Sequence, residues 1–178
     1  MTRDTVFRIA SMTKPIASVA LMMLYEEGYF ALDDPISKWL PEYADLQVAI
    51  PAPPDERVAS PFKLVPAARP ITVRHVLTHT AGLANSYRGM TRDMYFEALR
   101  GGDGPSETVA ESLMRTALVP LNFHPGDAWE YGRATDVVGV LVEKMSGQTL
   151  DEFLSERIFG PLGMHDTHFN IPEAKIER

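Results

Sequence analysis

Apolar positions recur with helical spacing over most of this chain, and the largest departure from that pattern lies near its start. From Pro15 to Tyr25 the only polar side chain is Ser18. A helix built from these residues is apolar on nearly every side, which predicts a central helix buried all round rather than one with a wet face. Gly28 supplies its stop. Asp34 as N-cap and Pro35 at the first position predict a short helix that ends near Leu40, before Pro41. Thr72 caps a helix from Val73 to His79, with Val73, Val76 and Leu77 at helical spacing and Gly82 as its stop. Thr91 to Arg100 reads as a helix closed by Gly101-Gly102, and Ser106 as the cap of another that runs to about Leu118. Val137, Val138, Leu141, Val142 and Met145 form a helical stripe that ends at Gly147. Thr149 and Glu152 form a capping box that opens a last helix, which stops near Gly160-Pro161.

One stretch breaks the rhythm. Pro41, Pro51, Pro53, Pro54, Pro61, Pro66 and Pro70 interrupt residues 41–70 too often for a regular element, so an extended surface excursion is expected there. It is placed to be a lid or a wall of a substrate site, and an insertion without function fits as well.

Composition narrows the function. The 178 residues, 45% hydrophobic, suffice for one domain with a sizeable core. A net charge of −7 without any basic run argues against a nucleic-acid partner and leaves small neutral substrates as the natural ones. The absence of cysteine removes disulfides and thiolate metal sites. The apolar run from Ala17 to Tyr25 is too short to span a bilayer, and Met1-Thr2-Arg3-Asp4 does not resemble a secretion signal. A soluble chain is expected, its compartment left open.

Two stretches carry chemistry. Ser11-x-x-Lys14 stands at the start of the apolar helix, where Pro15 fits only within the first turn. A serine and lysine three apart on one helix face are close enough to share a proton. The helix N-terminus suits an oxyanion on an acyl group under attack, and a lysine losing water as the helix enters the core can act as a base. The motif thus points to acyl transfer through a serine ester, against the plainer reading of a serine cap followed by a solvated lysine. The second stretch, His124 to Arg133, is a Pro-Gly turn followed by a short extended piece. Tyr131, at its junction with the next helix, reads by composition as a half-buried core tyrosine unless a partner in space gives it another role. His75 and His79 have the spacing of a metal pair, but with no glutamate between them in the zinc-protease arrangement they suit packing or loop bonding better. No metal and no cofactor is implied.

Phe7-Arg8-Ile9-Ala10-Ser11-Met12-Thr13-Lys14, Leu32-Asp33-Asp34-Pro35, the block from Ile71 to Leu83, Pro125-Gly126 and Pro161-Leu162-Gly163-Met164 occur in this order over nearly the whole chain. Together they resemble the serine β-lactamase and penicillin-binding-protein superfamily, in particular its class C-like branch that includes the family VIII carboxylesterases. The resemblance implies an α+β, β-lactamase/transpeptidase-like fold. It implies Ser11 as the acylated nucleophile, Lys14 as the group that takes its proton, and Tyr131 as the second acid/base. Tyr131-Gly132-Arg133 stands where the family has Tyr-x-Asn, so Arg133 occupies the position of a substrate-holding asparagine and becomes a candidate substrate-binding residue. That departure favours a short-chain carboxylic ester over a β-lactam. A β-lactam-acylated penicillin-binding or β-lactamase-type protein is the alternative, and a non-catalytic helical fragment or assembly partner a third.

The family's antiparallel sheet is built from segments before the Ser-x-x-Lys helix and after Pro-Leu-Gly-Met, and no late Lys-Thr-Gly-like or Trp/His-x-Gly element is present here. Residues 1–178 are therefore expected to be a single, mostly α, helical region of such an enzyme with the sheet largely missing. Self-association, or a complementing polypeptide that carries the sheet, is expected with it.

Overall fold

The computed structural model describes residues 1–2, 4–55, 61–85, 88–102 and 104–178. Helix α1 (Thr13–Glu26) is entered through a 3-10 turn at Ala10–Met12. A two-stranded antiparallel hairpin, β1 (Gln47–Pro51) and β2 (Phe62–Pro66), precedes α2 (Val73–Leu77), α3 (Arg92–Arg100), α4 (Val109–Ala117), α5 (Ala134–Ser146) and α6 (Leu150–Leu154). A π-helical turn, Ser155–Phe159, carries α6 on towards Gly160. The fold is mostly helical, as expected, and no helix among the described residues is long and apolar enough to cross a membrane.

The centre is the packing of α1 on α5, with α2, α4 and α6 gathered around α5. Val137, Val138, Leu141 and Val142 of α5 are buried in one cluster with Leu21 and Leu24 of α1, Val73 and Val76 of α2, Leu113 of α4 and Phe153 and Leu154 of α6. Local chemistry sets the helix starts. Thr72 caps α2 through a box whose return partner is His75, the Thr72 N–H donating to His75 Nδ1 at 3.1 Å. Thr149 and Glu152 form the expected box at α6.

Four expectations are corrected. Helix α1 fully buries only the stripe Ala17, Ala20, Leu21 and Leu24; Val19 is 51% and Tyr25 38% exposed. Ile16 and Met23 are half-buried against the same cluster, while Val19 and Tyr25 lie open; composition alone could not tell a covered face from an open one. The cap of α4 is Thr108, not Ser106: its N–H donates to Glu111 Oε2 at 2.8 Å and its hydroxyl accepts from the Glu111 N–H at 3.2 Å. Ser106 belongs to a 3-10 turn before it. After Pro35 the chain makes two 3-10 turns, Ile36–Lys38 and Pro41–Tyr43, in place of one helix, and the Asp34 carboxylate accepts from the Ala31 N–H behind it.

The fourth concerns residues 41–70, of which 56–60 lie outside the described residues. The stretch holds the hairpin, paired Val48 with Val65 and Ala49 with Leu64. Of its prolines, Pro51 and Pro66 are the last residues of their strands and the others lie outside the strands, where a missing N–H costs no ladder bond. Val48 and Ala49 are each 1% exposed. The Ala49 N–H donates to Leu121 O at 2.9 Å and the Leu121 N–H to Gln47 O at 2.7 Å, so β1 holds the segment that leads into the His124–Arg133 loop.

One-sided burial of α1 gives a direct test. Leu21→Ala should lower unfolding free energy by about 3 kcal/mol, in the range for an enclosed leucine, and Val19→Ala should change it by no more than about 0.5 kcal/mol. Urea denaturation of both variants measures this; equal losses would mean that the Val19 face is packed.

Candidate active site

Ser11 sits in the 3-10 turn that feeds α1. In such a turn residues i and i+3 eclipse, and Lys14 Nζ donates to Ser11 Oγ at 3.1 Å. The residue before the serine, Ala10, has φ 43°. This is left-handed backbone that costs a non-glycine residue on the order of 1 kcal/mol and persists only where its surroundings impose it. The Ser11 hydroxyl is exposed. Its second partner comes from far along the chain: the Tyr131 hydroxyl lies 2.7 Å from Ser11 Oγ. This is the partner in space that composition alone could not supply, and Lys14 Nζ also sits 4.8 Å from the centre of the Tyr131 ring.

Tyr131 is carried by a loop without regular structure, pinned along its length. Arg69 donates to Pro125 O and pairs with Asp127 at 2.7 Å. The Gly126 N–H donates to Thr80 O at 2.8 Å and the Glu130 N–H to His79 O at 2.9 Å. His79, at φ 56°, stacks on Tyr131 with ring centres 5.2 Å apart and 23° between planes. Trp129 meets the edge of the same imidazole at 6.1 Å and is 62% exposed. His75 and His79 therefore take separate structural parts, one in the α2 cap and one under the tyrosine. Among the described residues no three His, Asp or Glu side chains gather in a way that would hold a metal ion.

Electrostatics bear on the same three side chains. Tyr131 is shifted below the ordinary phenol range, first by hydrogen bonding to Lys14 and then by the Ser11 hydroxyl, because both partners favour a charged oxygen over a neutral one. His79 is shifted down, by burial first and by the Lys14 charge second. Its Nδ1 is enclosed with no hydrogen-bond partner among the described residues, as suits a neutral stacking ring. His75 is also shifted down, by burial and then by Arg69.

The structure brings Ser11, Lys14 and Tyr131 together and leaves Arg133 apart. The Arg133 guanidinium donates to Asp136 Oδ2 at 2.7 Å and to Ser112 Oγ at 2.9 Å, and its side chain is 17% exposed. Asp136 raises its pKa against the opposing effect of burial. Beside Lys14 a cleft of about 400 Å³ opens between α1 and α5, bounded by Thr13, Ala17, Thr135 and Gly139 and by Phe169 of the C-terminal segment. Sequence reasoning missed Glu130, Asn85 and Asn122, whose side chains bond one another next to Tyr131. Ordinary polar residues in loops carry no spacing that would announce such a group.

The chain belongs to the beta-lactamase family: the family model described as "Beta-lactamase" matches residues 1–178. Esterase EstB of Burkholderia gladioli is 36% identical over 98% of this chain and 41% of its own. The lovastatin esterase of Penicillium rubens is 34% identical over 93% of this chain and 40% of its own. Among solved structures, EstCE1, described as a hydrolase with promiscuous acyltransferase activity, superposes with TM-score 0.75 and 31% identity, covering 98% of this chain and 42% of that one. The chain thus spans about two fifths of the length of these relatives. They agree with the resemblance read from the Ser-x-x-Lys and Pro-Leu-Gly-Met blocks.

The Lys14 contact is the largest influence on Tyr131, so Lys14→Met should raise the tyrosine's ionisation back towards the ordinary phenol value near 10. Ultraviolet difference titration, with Tyr131→Phe to identify the signal, reads this shift. An unchanged titration would show that the two side chains do not interact in solution.

Proposed function

We propose that this chain carries the nucleophile and acid/base pair of a serine hydrolase that cleaves short-chain carboxylic esters through an acyl-enzyme on Ser11. The observation that carries the reading is the convergence of Lys14 and Tyr131 on one exposed serine oxygen. A hydroxyl bonded only for stability has no need of two titratable partners, whereas a nucleophile needs one group to receive its proton and another to deliver one to the leaving group. Ser11 Oγ attacks the ester carbonyl carbon and its proton passes into the Lys14–Tyr131 pair. The tetrahedral intermediate collapses with breakage of the bond to the alcohol oxygen, which takes a proton from Tyr131. Water then attacks the acyl carbon, loses a proton to the same pair, and Ser11 recovers its hydroxyl as the acid departs.

Two further observations support an ester over a β-lactam. The relatives in the comparison include proteins named as esterases. Arg133, at the place of the family's amide-holding asparagine, is committed to Asp136 and Ser112.

Ser11→Ala should lower nitrophenyl acetate hydrolysis by at least about 10³-fold, as for loss of a nucleophile, with the thermal unfolding profile unchanged. A fluorophosphonate probe should add once per parent chain, on Ser11, and not at all to the variant. Turnover by the alanine variant within a few-fold of the parent would overturn the assignment.

A further inference from the structure

We propose that Glu130 is the positioning residue for Tyr131, holding its hydroxyl against Ser11 through a partly buried relay of side-chain amides; this rests on the reading of Tyr131 as the partner of Ser11. The loop gives Tyr131 no helix or strand to stand on, and stacking on His79 fixes the plane of the ring without fixing how far it slides across the imidazole. Another anchor has to set that coordinate. Trp129 and Tyr131 both turn to the His79 ring, while Glu130, between them, turns the other way. Its Oε1 accepts from Asn85 Nδ2 and from Asn122 Nδ2, both at 2.5 Å.

The amides are themselves held. Asn122 Oδ1 accepts from the Thr91 hydroxyl at 2.8 Å, and the Asn122 backbone N–H donates to Gly82 O at 2.8 Å. Asn85 Oδ1 accepts from the Arg88 N–H at 3.2 Å. Asn85 is 2% and Thr91 0% exposed, while Asn122 and Glu130 are half-buried, so water has restricted access to these bonds, and hydrogen bonds joined in a network strengthen one another. The surrounding chain leaves little room to shift. A Cβ on Gly89, which has φ +101°, would come within 2.2 Å of Asn122 Oδ1, and one on Gly132 would sit 3.2 Å from Asn85 Cβ. The residues on both sides of Tyr131 are thus set against Asn85, one by a hydrogen bond and one by close contact. The relay ties the start of α3, the segment after α2 and the segment after α4 to the residue adjoining the acid/base, and a displacement of about 1 Å there is enough to cost on the order of 10²-fold in rate.

The test reads the tyrosine directly, so that it does not depend on turnover. Tyr131 is followed by the carbon-13 shift of its labelled phenol carbon through a pH titration in the parent, Glu130→Ala, Glu130→Asp and Glu130→Gln. In the parent it ionises below the ordinary phenol range. Glu130→Ala should move that ionisation up, because the hydroxyl drifts from Lys14 and Ser11, and Glu130→Asp, whose shorter carboxylate draws the loop inward, should do the same if the alanine variant does not fold. Glu130→Gln keeps an acceptor oxygen for both amides and should titrate like the parent. On an ester substrate, Glu130→Ala should lose about 10²-fold in kcat with KM little changed, and should lose nothing further in a Tyr131→Phe background. An unchanged Tyr131 titration in folded Glu130→Ala or Glu130→Asp overturns the proposal, as does a loss of activity that multiplies with that of Tyr131→Phe. A parent without esterase activity but with a Glu130-dependent titration would instead overturn the hydrolase reading and keep the positioning role.

Discussion

A serine hydroxyl shared by an amine and a phenol needs both partners within about 3 Å at once, and here the partners lie three and 120 positions away in the chain. The near partner follows from local geometry, since the 3-10 turn at Ala10–Met12 brings Ser11 and Lys14 into line at the mouth of α1. The far partner depends on everything between. Helix α1 has to pack on α5 in a fixed register, because Tyr131 enters the site just before α5 begins at Ala134. The buried Leu21, Leu24, Val137, Val138 and Leu141 therefore do more than stabilise: their close packing resists the sliding of one helix past the other that would part the two hydroxyls. The hairpin has a similar part at one remove. By bonding Leu121 it steadies the entry to the loop that ends at Tyr131.

The electrostatic arrangement depends on the same convergence. Tyr131 is shifted below the ordinary phenol range because Lys14 and Ser11 reach it, and His79 is held towards its neutral form by burial and by the same lysine. A protonated imidazole stacked under the phenol would add a second positive charge beside Lys14 in a partly desolvated place, which is unfavourable. A neutral ring with one enclosed nitrogen costs less and still supports the tyrosine. The His79 Nδ1, unpartnered among the described residues, is then the cost of using an imidazole as a packing surface.

Much of this was legible in the chain. Caps and helical stripes announce their elements through local bonds, and the cap at Thr72, the box at Thr149 and the stripe of α5 lie where the pattern puts them. The contact of Ser11 with Lys14 was legible because it is set by spacing within one turn. What failed did so for identifiable reasons. Ser106 and Thr108 are both good caps, and the choice fell to Thr108 because Glu111 is three residues on and can return the bond. The prolines of residues 41–70 hid a hairpin because their number suggested an extended excursion without regular elements, while their positions, at strand ends or outside the strands, did not forbid pairing. The all-apolar run of α1 showed what the helix could bury and not what lay beside it. Tyr131 as a partner of Ser11 was implied only by the family resemblance, and the Glu130–Asn85–Asn122 group is a tertiary fact with no local signature.

Arg133 has a structural part that its place two residues after Tyr131 does not announce. Two residues after Tyr131, it opens α5 by pairing with Asp136 in the helix's first turn and by reaching Ser112 on α4. An arginine so enclosed is stable only with its charge matched and its donors satisfied, and breaking such a pair leaves a buried charge uncompensated. Those bonds fix the first turn of α5 to α4. Tyr131 therefore stands between two anchors, the Glu130 amide relay on one side and the Arg133 ion pair on the other, with Gly132 as the small residue that lets the chain pass close to Asn85. A neutral asparagine in place of Arg133 lacks the charge to pair with Asp136 and the length to hold Ser112 as well. Holding this short segment from both ends is thus a physical use for an arginine at a position where the family pattern places a substrate ligand.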